Sequence, residues 1–132
     1  MATDILLNDG GAPARILPFV AAEDVTAGNL LTVDVAGKVQ NASSADPNAD
    51  MAGIGYALTT ISSGNIASVI TGHGVVLNIN STDNVAGIAL MMGPVGAPGR
   101  MVPATNVATG PMCQAVCLED TNAVGLHRSI TV

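Results

Sequence analysis

No stretch of this chain carries a helical i, i+3, i+4, i+7 pattern long enough to outweigh the glycines that interrupt it, and that feature decides the fold class. Short runs rich in Val, Ile, Leu and Thr stand in its place: NLLTVDV at 29–35, ASVIT at 67–71, VVLNI at 75–79, RMVPA at 100–104 and LHRSITV at 126–132. Clusters of Gly, Asn, Asp, Ser and Pro separate them, giving a turn signal about every eight to twelve residues. The pattern predicts an all-β domain, a small barrel or sandwich of about eight short strands.

The turns recur. DVTAG at 24–28 corresponds to DNVAG at 83–87, and GKVQNA at 37–42 to GRMVPA at 99–104, with a basic residue after the glycine in both. YALTTISSGNIASVIT at 56–71 then falls against VCLEDTNAVGLHRSITV at 116–132, placing Leu58 beside Leu118, Gly64 beside Gly125 and Ser68 beside Ser129. The period is about sixty residues. Two pseudo-repeated halves, 16–71 and 75–132, are therefore expected to make one β-domain over 16–132, each half contributing about four strands.

That division leaves DILLNDGGAPAR, ending at Arg15, outside both halves. Ile5, Leu6 and Leu7 are too apolar to be left in water, and Asn8-Asp9-Gly10-Gly11 stops them from extending into a long strand. Residues 1–15 are expected to form an N-terminal arm. In it Ile5, Leu6 and Leu7 act as an apolar anchor, with Pro13 and Arg15 completing the contact with a partner, and Gly10, Gly11 and Pro13 form a bendable, partly stiffened connector. The alternative is that Ile5–Leu7 are a first strand of the chain's own barrel.

A chain of 132 residues buries enough surface for one real core. That core is aliphatic, because Phe19 and Tyr56 are the only aromatic residues. Four basic residues (Arg15, Lys38, Arg100, Arg128) against ten acidic ones give a net charge of −6, the wrong sign for gripping a phosphate backbone. Nucleic acid is not an expected partner, and stacking-based sugar recognition lacks its platforms. Met51–Thr82 carries no formal charge, but Ser62-Ser63-Gly64-Asn65, Gly72-His73-Gly74 and Asn78-Ile79-Asn80 cut every apolar run well short of the ~18 residues of a spanning helix. No membrane span and no signal peptide are expected. Cys113 and Cys117 on one strand face would lie about 13 Å apart, beyond disulfide reach, and read as two small core residues.

A glycine-led strand (AGNLLTVD, 27–34), a GKV hairpin (37–39), then GIGYAL (53–58), a Ser/Gly turn and NIASVITGHGVVLNI (65–79) together resemble the small β-rich capsid decoration, or cement, proteins of tailed phages. The resemblance covers most of 20–132 and lies in the order of strands, Gly turns and alternating apolar residues. It implies a non-enzymatic virion structural protein that binds the major capsid protein on the outer capsid surface and stabilises the shell, after synthesis in the host cytoplasm. It also fits a homo-oligomer, dimer or trimer, whose copies cover the apolar surface of the chain. No cofactor or metal is expected.

Two other classes of function are open to the same residues. If 112–118 and 126–132 form a hairpin around EDTNAVG, Cys117 and His127 become cross-strand neighbours, and such a pair can generate a thiolate nucleophile for a small hydrolase or thiol enzyme. The plain reading is a core cysteine beside a surface imidazole. A stand-alone ligand-binding barrel is the third class. His73 in TGHGV has no partner motif and reads as a turn residue, Glu119-Asp120 as solvated turn chemistry, and GPVGAPGR at 93–100 as a surface loop lacking the Lys-Ser/Thr pair of a phosphate cradle.

Overall fold

The computed structural model describes residues 5–7, 14–43, 53–82, 85–93, 98–103 and 115–132. Pro13, Cys113 and the centre of the GPVGAPGR segment lie outside the described residues. The described chain is all-β, with β1 (Arg15–Val20), β2 (Leu30–Val33), β3 (Val39–Asn41), β4 (Gly55–Ala57), β5 (Ile66–Thr71), β6 (Val76–Ser81), β7 (Ala89–Met92), β8 (Met101–Pro103), β9 (Ala115–Cys117) and β10 (Gly125–Thr131). The described residues form ten strands where about eight were expected, and β3, β4, β8 and β9 are each three residues long.

The first half forms a five-stranded sheet in the order β1-β5-β4-β2-β3, and the second, read from β6, runs β6-β10-β9-β7-β8 and closes into a barrel. The two orders are identical strand for strand. Closure of the second half is a parallel contact between Ser81 and Met101, and the first half makes the equivalent one as a bridge between Ala21 and Val39. Turn hydrogen bonds repeat as well. Gly28 N donates to Ala57 O (2.8 Å) as Gly87 N does to Cys117 O (2.7 Å), and Leu58 N donates to Ser68 O as Leu118 N does to Arg128 O (both 2.9 Å). Gly28 and Gly87, at φ of +88° and +87°, take a left-handed turn that a side chain would oppose.

Alternation along the strands directs one face inward. β6 buries Leu77, Ile79 and Ser81 and half-exposes Val76, Asn78 and Asn80. β1 tolerates Pro18 because the register with β5, extended by Ala21 N donating to Asn65 O, turns alternate residues 16, 18 and 20 away from that partner. The interior divides into two clusters. Ala21, Val25, Leu31, Val39, Ala57, Ala67 and Val69 fill the first half. A larger cluster joins Leu30, Tyr56 and Ile70 of the first half to Leu77, Ile79, Leu90, Met101 and Cys117 of the second, so the halves share a core.

Ile5 lies in that shared core and Leu6 packs against it, while Leu7 is exposed. Ile5 is 5% exposed, Leu6 bridges to Leu77, Leu7 N donates to Val76 O (3.0 Å), and Asn78 N donates to Ile5 O (2.8 Å). The physical reason is the outward edge of β6, whose backbone groups need partners once the neighbouring surface is buried. Three residues are enough to supply them.

Candidate interaction surface

The seam between the halves is built from short polar side chains and turn backbone. Asn80 N donates to Gly28 O (2.9 Å) and Asn80 Nδ2 to Asn29 Oδ1 (2.8 Å). Asn29 Nδ2 donates to Asn41 Oδ1 (2.9 Å), and Asn41 Nδ2 to Glu23 Oε2 (3.0 Å). The Gly99 turn inserts beside them: Leu30 N donates to Gly99 O (2.9 Å) and Gly99 N to Ala42 O (2.8 Å). Buried amides of this kind hold only when each polar atom finds a partner, so the chain of asparagines fixes how one half sits on the other.

Of the contact residues expected from the sequence, Ile5 is enclosed, Leu6 half-buried, and Leu7 39% exposed at the surface. Arg15 is exposed at the start of β1, where its carbonyl accepts from Thr71 Oγ1 (3.4 Å). The largest apolar exposure lies elsewhere. Ile16 (48%) and Ile66 (56%) project with Pro18 and Val20 from the outer face of the β1–β5 ribbon, and Val35 (97%) and Val85 (60%) stand on turns. Sequence reasoning missed this face, although the alternate positions 16, 18 and 20 carried the signal.

The catalytic candidates are not assembled. The register sets Ser129, not His127, opposite Cys117. Cys117 is 0% exposed, and its Sγ donates to Glu119 O (3.1 Å), while His127 Nε2 lies 2.7 Å from Ala123 O and Nδ1 4.0 Å from Glu119 Oε1. A thiol committed to a backbone carbonyl and shut from solvent does not meet a substrate. The alternative hairpin that would set Cys117 opposite His127 is not the one formed; the 118–124 connection shifts the pairing by two residues. Glu119 and Asp120 brace backbone, accepting from Arg128 N and Ala86 N (both 2.9 Å). Among the described residues no group of three His, Cys, Asp or Glu side chains is placed to hold a metal. His73 lines a cleft of about 260 Å³ with Tyr56, Ile70, Thr71, Thr131 and Val132, and no Asp, Glu, Cys, Lys or Arg side chain is among the described lining residues. No helix of the described chain is long and apolar enough to cross a membrane.

The described residues thus define an all-β chain of two like halves whose conspicuous surface feature is an exposed apolar face. It matches no protein-family model and no curated protein sequence. Among solved structures it is similar to the head fiber gp8.5 N base of bacteriophage phi29, at 14% identity and a TM-score of 0.62, over 90% of this chain and 94% of that one. The likeness is one of fold, and it runs through both halves.

Proposed function

We propose that this chain is a non-enzymatic structural protein of a bacteriophage virion that binds the outside of the assembled capsid and stabilises it. The observation that carries the reading is the end-to-end likeness of its two-part β-fold to the base of a phage head fiber. Two physical features support it. A net charge of −6 suits a capsid face turned away from DNA, and the exposed apolar residues need a protein partner to cover them.

The partner under this reading is the major capsid protein, with further copies of the chain alongside. Because Ile5 is held in the chain's own core, the N-terminal contribution to the shell contact falls on Leu7 and Arg15, which are exposed. The test is co-sedimentation of the purified chain with shells of its phage prepared without it. The expected result is pelleting at a saturating ratio and a raised shell melting temperature. A chain that stays in the supernatant and leaves shell melting unchanged contradicts the reading.

A further inference from the structure

Three surfaces that are covered at the seam have equivalents in the other half that are not covered. Gly28 is buried, its position roofed by Leu126, whose Cδ2 lies 2.3 Å from where a Cβ would stand; Gly87, its counterpart, is exposed with open space around it. The counterpart of Leu126 is Ile66, 56% exposed. Gly99 is buried against Asn29 and Ala42, while its counterpart Gly37 is exposed, again facing open space, on a turn that carries Val35 at 97% exposure. Each element that docks in one half is idle in the other.

The side chains change in step. At the seam, Asn80 donates to Asn29. The residue equivalent to Asn80 is Val20, and the one equivalent to Asn29 is Ile88. A polar pair inside the chain thus corresponds to an apolar pair split between its two open ends. The backbone agrees: Val20 N–H points away from β5 just as Asn80 N–H points away from β10 toward Gly28 O.

We infer that the outer β1–β5 face and Gly37 turn of one copy receive the Gly87 turn of a second copy of this chain, repeating between chains the contact that joins the two halves within one. Ile66 then lies over Gly87, Val20 meets Ile88, Val20 N–H donates to Gly87 O, and Ala89 N–H donates to Gly37 O. The contact is heterologous, since different surfaces meet, so copies associate head to tail and each leaves both ends satisfied only in a closed ring. Three exposed apolar residues that are otherwise unexplained, Val35, Ile66 and Val85, fall on these two ends, with the half-buried Val20 beside Ile66. The inference does not rest on capsid binding.

Sedimentation of the isolated full chain tests it. The wild-type chain is expected to sediment above its 13.1 kDa mass and to fall toward it on dilution. Ile66→Arg and Ala86→Arg, each at an exposed site on one of the two ends, are expected to remain monomeric with wild-type circular dichroism. Mixed together they are expected to form a one-to-one complex, because each keeps the surface that the other lacks. Val20→Asn, which restores the side chain found at the covered position, is a second disruption of the first end and is expected to shift assembly to higher concentration. Val124→Arg, exposed but on neither end, leaves assembly unchanged. A monomeric wild type at all concentrations, full assembly of the two arginine variants, or folded variants that fail to complement one another overturns the inference, whatever the outcome with shells.

Discussion

Gly28 and Gly87 occupy the same turn in the two halves, at nearly the same φ, yet one is roofed by Leu126 and the other is open to solvent. The same holds for Gly99 and Gly37. Strand order, turn hydrogen bonds and closing contact are common to both halves, so those features come from what the halves share in sequence. Exposure differs because a chain of two units docked head to tail satisfies one seam and leaves its two outer ends unsatisfied. The difference teaches that the apolar face on β1–β5 is not a defect of packing in the first half. It is the surface that the second half has already used.

Substituting the paired glycines breaks the comparison most forcefully. Alanine at either position suffers the left-handed strain of roughly 1–2 kcal/mol. Gly28→Ala also forces its new methyl into Leu126, adding about 1–3 kcal/mol of overpacking, whereas Gly87→Ala meets nothing in the isolated chain. Chemical denaturation at low protein concentration is expected to show the larger loss for Gly28→Ala. Equal losses would mean that the seam is not packed as described.

A smaller effect sharpens the role of residues 5–7. Ile5→Ala is expected to lower stability by about 2 kcal/mol, the low end of the range for a buried isoleucine, because the segment that holds it is short. A free arm would show no change in the denaturation midpoint.

Much of this organisation was legible in the residues. The turn glycines gave the period of about sixty, since a left-handed turn selects glycine whatever surrounds it. The runs at 29–35, 67–71, 75–79, 100–104 and 126–132 overlap β2, β5, β6, β8 and β10, because alternation survives in strands with one buried face. β1 was hidden by Pro18, whose cost depends on which way its missing amide would point. The place of Ile5–Leu7 was hidden too, because three residues have no period and their partner, Val76–Asn78, lies some seventy residues away. Register defeated the Cys117–His127 pairing, since a connection one or two residues longer on one side slides every cross-strand neighbour.

Hydrogen exchange at four backbone amides tests that comparison most directly. Asn80 and Leu30 donate across the seam to Gly28 O and Gly99 O, and Val20 and Ala89 are their counterparts at the open ends. In dilute solution Asn80 and Leu30 are expected to exchange slowly and Val20 and Ala89 quickly, and as concentration rises Val20 and Ala89 are expected to slow together. Protection of Val20 and Ala89 that is the same at every concentration, or absent at all of them, would contradict the account.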